Sequence, residues 1–101
     1  MNKYVLSSGA ERDLDEIWEF IAQDKIDAAD RWIDKLFDAF EELARNPGIG
    51  HQRMDITDYP VLFGPVGRYL ILYRTQKQFI EIVAVTQGAR EIPALLFRRI
   101  E

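Results

Sequence analysis

The stretch "VGRYLILYRTQKQFIEIVAVTQGARE", Val66 to Glu91, decides the fold. It reads as two apolar strands, Arg68–Arg74 and Phe79–Thr86, joined by the polar hairpin connection "TQKQ". Side chains alternate across a strand. Arg68, Leu70, Leu72 and Arg74 therefore share one face, and Tyr69, Ile71 and Tyr73 share the other. On the second strand Ile80, Ile82 and Ala84 alternate with Glu81, Val83 and Val85. A sheet covered on one face only should be polar on the other. This pair is apolar on both, so two covers are needed.

Upstream lies the first cover. "KYVLS", Lys3–Ser7, alternates as a short strand. "SGAE" fits a capping box with Ser8 as N-cap and Glu11 at the third helical position. Ala10, Leu14, Ile17, Trp18 and Ile21 then recur at helical spacing, which predicts a helix over roughly residues 9–23. Asp27 can cap a second helix. Its apolar stripe runs through Ala29, Trp32, Ile33, Leu36, Phe37, Phe40, Leu43 and Ala44, and "NPG" from Asn46 ends it. The short link predicts an antiparallel helical hairpin. A structureless stretch as long as residues 46–66 is rare in a compact domain. "PVLF", Pro60–Phe63, supplies a third sheet strand, with Pro60 at its first position.

The second cover has three candidates: the C-terminal segment "IPALLF", a second copy of the chain, or a partner peptide. In that segment Ile92, Leu95, Leu96 and Ile100 can form one face of a short helix, with Pro93 in its first turn. The expected fold is a single α+β domain over residues 1–101. It has an N-terminal strand, a two-helix hairpin, a three-stranded antiparallel sheet beneath it, and a short C-terminal helix.

Composition narrows the function. The 101 residues are 48% hydrophobic, with two Trp, six Phe and four Tyr, which argues against disorder. There is no Cys, so disulfides and thiolate metal sites are excluded. No signal-peptide or membrane-spanning pattern occurs, and the expected compartment is the cytoplasm. Net charge is −4, unlike a general nucleic-acid binder. Residues 1–50 hold six Lys/Arg against twelve Asp/Glu, and residues 51–101 seven against five. An anion-facing surface should therefore lie in the second half. The carboxylates of the first helix lie opposite its apolar stripe, no metal-ligand spacing stands out, and no Gly-rich loop joins strand to helix. No metal or cofactor is expected. His51, the one histidine, is the sole side chain of its type for general-base chemistry. It sits in a polar loop without an orienting partner, and reads as an exposed loop residue.

These stretches in this order resemble the ParE/RelE superfamily of bacterial toxins. The resemblance rests on "YVLSSGAERDLDEIWEFIA", "AADRW", "LARNPGIGHQR", "FGPVGRYLILYR" and "IEIVAVTQGAREIPALL", almost end to end. The details look more like the ParE branch than the RelE branch. The resemblance implies a growth-arresting toxin held in a hetero-oligomer by a ParD-like antitoxin. ParE-like members act on DNA gyrase, whereas RelE-like members cut mRNA on the ribosome.

Metal-free RNA cleavage needs a base, phosphate-neutralising cations and an acid. Arg90 matches a RelE-type catalytic arginine. Leu96 stands where a C-terminal Tyr would be, Leu70 where an arginine is often found, and "PVLF" lacks the family's lysines. Arg90 and His51 are thus the only catalytic candidates, and the chain reads as a binding protein rather than an enzyme. The alternatives are a RelE-like endoribonuclease, or an inactive relative kept for antitoxin binding or autoregulation. Residues expected to meet the target or the antitoxin are Arg68, Tyr69, Leu70, Leu72, Arg74, Arg90, Leu95 and Leu96. For Arg74 the preferred reading is a strand-end residue paired with a local Glu.

Overall fold

A computed structural model describes residues 3–88 and 91–100. Strand β1 (Tyr4–Leu6) leads into helix α1 (Ser8–Ala22) and helix α2 (Ile26–Arg45). A 3₁₀ turn at Pro47–Ile49 follows. Then come β2 (Leu62–Val66), β3 (Tyr69–Thr75), β4 (Ile80–Gln87) and helix α3 (Ile92–Ile100). The α+β class and the helical hairpin are as the sequence implies. The sheet, however, has four strands, in the order β1-β4-β3-β2. β1 joins it by pairing parallel to β4, with Tyr4 opposite Ile80 and Leu6 opposite Ile82. The other pairs are antiparallel.

The N-cap of α1 is Ser7, not Ser8. Its Oγ accepts the Ala10 N–H at 3.0 Å and donates to the Val83 carbonyl at 3.1 Å. The shift by one residue has a physical reason: Ser7 caps the helix and ties it to β4 with the same hydroxyl. α2 begins one residue before Asp27, after Lys25, and has no side-chain cap hydrogen bond. Asp27 lies instead in the first turn, where its charge favours the helix dipole. β2 starts at Leu62 rather than Pro60, so it is Pro65 that sits inside an edge strand. Ahead of β2, the loop folds on itself: Ile56 and Thr57 donate to the Arg53 carbonyl, and the Tyr59 N–H donates to Thr57 Oγ1.

Two cores sandwich the sheet. In the first, Tyr69, Ile71, Tyr73, Ile80, Ile82 and Val85 meet Ala10, Leu14, Leu36, Phe40, Leu43 and Ala44 of the hairpin. In the second, Leu72, Val83 and Ala84 meet Val61, Phe63, Ile92 and Leu96. Each fully buried Leu, Ile or Phe contributes about 1.5–3 kcal/mol over an exposed one. Strict alternation on β4 fails at one point. Leu72 pairs with Ala84 and Tyr73 with Ile82, so Val83 is an extra residue, a β-bulge. Val83 and Ala84 consequently both face the second core, and Val85 swings into the first. Gly64 permits a close approach of the layers, since a Cβ there would lie 3.2 Å from Leu43 Cδ1. Among the described residues no helix is long and apolar enough to cross a membrane.

Candidate functional site

The second face of the sheet is closed by the chain's own C-terminal helix. Ile92 and Leu96 are fully buried on it, and Leu70, Leu95, Ile100, Ile56 and Tyr59 pack around them. Of the three covers the sequence allows, the C-terminal segment is the one in place. Leu72 and Leu96, expected at a partner surface, are inside this core, and Tyr69 is inside the first. Leu70 and Leu95 are half-buried at the border of the second core.

α3 is fastened by a contact the sequence does not announce. Arg99 Nη2 donates to Asp13 Oδ1 at 2.8 Å, and Nη1 donates to Asp13 Oδ2 at 3.0 Å and to the Val83 carbonyl at 2.9 Å. Asp13 Oδ2 also accepts the Val85 N–H at 2.9 Å. β1 is too short to pair with this part of β4. Ser7, Asp13 and Arg99 supply the missing hydrogen bonds instead. The hydrogen bond to Asp13 raises the Arg99 pKa, helped by the charges of Asp13 and Glu16 and opposed by burial. Gly9 completes the cradle: a Cβ on it would lie 2.5 Å from Arg99 Nε. Asp13 and Arg99 each look like solvated surface charges in sequence. Only the topology brings them together.

The other arginines separate into distinct environments. Arg74 Nε donates to Glu81 Oε1 at 2.6 Å across β3 and β4, the local pairing favoured above. Arg90 lies outside the described residues. Arg68 is exposed in the two-residue turn between β2 and β3, next to Gly67, whose φ of 59° is left-handed. Its guanidinium lies 5.8 Å from the Trp32 ring centroid and 5.7 Å from that of Tyr69. Lys35 Nζ sits 4.8 Å from the Trp32 ring. Trp32 and Tyr69 stack edge to face at 5.2 Å. A side chain at Gly67 would collide with Trp32, because a Cβ would stand 2.6 Å from its Cη2. The result is a half-buried Trp32 ring, backed by the buried Tyr69 and flanked by two cations, one from each half of the chain. Such a group can hold a carboxylate by charge and an apolar side chain by contact. Sequence reasoning singled out Arg68 and Tyr69 but not Lys35, and it placed Trp32 in the apolar stripe of the second helix.

His51 is exposed, and its backbone extends the sheet. Its N–H donates to the Phe63 carbonyl at 3.0 Å and its carbonyl accepts the Phe63 N–H at 2.8 Å. Tyr73, by contrast, uses its hydroxyl structurally. It donates to the Pro47 carbonyl at 2.6 Å and accepts the Gly50 N–H at 3.0 Å. Burial pushes the phenol pKa above its ordinary value, partly offset by the Gly50 N–H. The folded value therefore exceeds the unfolded one. That contribution to stability is complete below about pH 10 and is lost as pH rises through the folded value. Tyr4 is shifted the same way, by burial and then by Glu41. Urea midpoints between pH 8 and pH 11 should fall for the native chain. In Tyr73→Phe the fall should be shallower, with Tyr4 supplying the remainder. An unchanged slope would refute this role of Tyr73.

Among the described residues no group of three or more His, Cys, Asp or Glu is placed to hold a metal ion. The model of the family described as ParE toxin of the type II toxin–antitoxin system parDE matches residues 4–92. A solved structure, the chromosomal ParDE toxin–antitoxin system from P. aeruginosa, is similar with a TM-score of 0.73. It is 16% identical in sequence and covers 86% of this chain and 96% of that chain. At that identity the likeness establishes the fold. Among curated proteins none matches the chain significantly in sequence.

Proposed function

The chain belongs to the ParE toxin family of type II toxin–antitoxin systems, and on that premise we propose that it arrests growth by binding DNA gyrase in the cytoplasm. A ParD-like antitoxin neutralises it by forming a hetero-oligomer. The observation that carries this reading is the family match over residues 4–92. The chemistry of the chain agrees with action by binding. Leu96, where a ribonuclease of the related branch would carry its tyrosine, is aliphatic and fully buried. Leu70 occupies an arginine position of that branch and packs at the second core. Among the described residues, Arg68 with Lys35 around Trp32 is an exposed cationic feature that suits holding a macromolecule.

Induced expression of the chain alone should stop colony growth, and co-expression of the antitoxin from the same operon should restore it. Sequencing of mRNA ends in the arrested cells should show no codon-linked cuts. Abundant cuts would move the chain to the endonuclease reading. Unimpaired growth would make it an inactive relative serving antitoxin binding or autoregulation.

A further inference from the structure

We propose that two copies of the chain associate through their β1 strands, paired antiparallel about a two-fold axis at Val5, so that the two sheets run on as one.

The sheet has two edges, and they differ. At β2, Phe63 turns both its backbone groups outward, and His51 takes them. The next outward position is Pro65, and proline has no N–H. That edge is closed to a further strand. β1 is the other edge, and its parallel register fixes which of its groups are used. The Lys3 carbonyl accepts the Ile80 N–H, and the Ser7 N–H donates to the Ile82 carbonyl. Lys3, Val5 and Ser7 therefore face β4, whereas Tyr4 and Leu6 turn their N–H and C=O groups away from the sheet. Among the described residues none bonds to those outward groups. β1 carries neither proline nor bulge, so it remains a template for another strand.

The edge matches itself. About an axis at Val5, Tyr4 stands opposite Leu6 of the second copy, and the two exchange both their backbone hydrogen bonds. Every outward group of both strands then has a partner. Val5 lies on the opposite face from Tyr4 and Leu6 and is 49% exposed. It meets its own copy across the axis in the closer, non-hydrogen-bonded kind of pair.

Charge selects a second copy over an unrelated strand. At the Tyr4 end, Lys3, Arg45 and Phe79 line a hollow of about 570 Å³. Glu41 also lines it, one turn of α2 before Arg45, and the end stays net positive. At the Leu6 end, Glu11 and Asp15 border a hollow of about 480 Å³, with Leu6, Trp18 and Phe37 as its apolar lining. Antiparallel pairing lays the cationic end of each copy beside the acidic end of the other. Parallel pairing would oppose like ends. α2 lines both hollows, so the contact extends from the strands into the helical layer. The strands have three residues each, which makes a short ladder. The dimer should accordingly belong to the transient class, with a dissociation constant of roughly 10 μM.

The test uses the full chain, freed of antitoxin, in the analytical ultracentrifuge. It should sediment as a dimer at roughly 100 μM and as a monomer below about 1 μM. Val5→Glu sets two like charges across the axis and should weaken association by more than about a hundredfold. Arg45→Glu should weaken it roughly tenfold, and adding Asp15→Arg to the same chain should restore it. Thermal melts check that each variant is folded. The native chain has no Cys. Val5→Cys with oxidised glutathione should therefore give a disulfide-linked dimer, because a non-hydrogen-bonded pair brings the Cα atoms to about 4.5 Å. Phe97→Cys, exposed on α3, should not link at a comparable rate. A native chain that stays monomeric at the higher concentration would overturn the proposal. So would a Val5→Cys chain that links no faster than Phe97→Cys, which would place any dimer contact elsewhere.

Discussion

Arg99→Ala is expected to destabilise the chain by about 3 kcal/mol, the lower range for breaking a buried ion pair. The pair is only 17% and 13% exposed at its side chains. Removing the guanidinium takes away two hydrogen bonds to Asp13 and one to the Val83 carbonyl. It leaves a largely buried carboxylate with the Val85 N–H as its remaining partner. At roughly 4–8 °C per kcal/mol for a domain of this size, the melting temperature should fall by roughly 12–24 °C. Arg99→Lys keeps the charge but loses the fork, and should recover less than half of the loss. Asp13→Ala with Arg99→Ala should cost clearly less than the two single changes added, since each single change orphans the other group. A sign reversal at Gly9 sharpens the test. In the native background Gly9→Ala forces Arg99 out of its place and destabilises. Without Arg99 the same change should stabilise by about 0.5–1 kcal/mol, because alanine is the better helix former. Denaturant titrations of these variants read all of it. A loss below about 1 kcal/mol for Arg99→Ala would mean that the pair is an ordinary surface contact.

Leu96→Ala should be comparably damaging, at about 3 kcal/mol. Leu96 is fully buried among Leu72, Val83, Ala84, Val61 and Phe63. Truncating it removes the transfer free energy of the side chain and leaves a cavity between α3 and the sheet. The consequence extends beyond one site, because α3 is the cover for the second sheet face. Loosening it exposes Leu70, Leu72 and Val83 to water, and the variant should bind a hydrophobic dye before it unfolds globally. Phe97 is the contrast. It lies one position further along the same helix and is 62% exposed. Phe97→Ala should change stability by less than about 0.5 kcal/mol. Equal effects at the two positions would show that α3 is not seated as described.

What the sequence made legible was periodic. The stripes of α1 and α2, the "NPG" stop, the strand pair around "TQKQ" and the need for a second sheet cover all follow from spacing and turn chemistry. What it hid was non-local. The bulge at Val83 exchanges the faces of β4 without any Gly or Pro to mark it. β1 has nothing in its three residues to say that it pairs parallel to β4 rather than standing apart. Adjacent serines at positions 7 and 8 are equivalent as caps until the Val83 carbonyl chooses between them. The bond between Asp13 and Arg99 joins residues 86 positions apart, each of which reads alone as a helix-surface charge. At the candidate site the arginines could be picked out and the pairing of Arg74 with a local Glu expected, but not the surroundings of Arg68 or the burial of Leu72 and Leu96. Arg74 is engaged by Glu81, Arg68 is turned toward Trp32, and Leu72 and Leu96 are core. Trp32 escaped notice because a tryptophan at helical spacing usually means burial, and here its ring also forms the floor of a basic recess.

On the function proposed above, the chain occupies gyrase rather than cutting RNA. The most direct measurement is supercoiling of relaxed plasmid by purified gyrase, with increasing amounts of the chain released from its antitoxin. Supercoiling should fall as the chain is added and return when antitoxin is supplied. Undiminished supercoiling at a large excess of folded chain that still arrests growth in cells would rule out gyrase as the target.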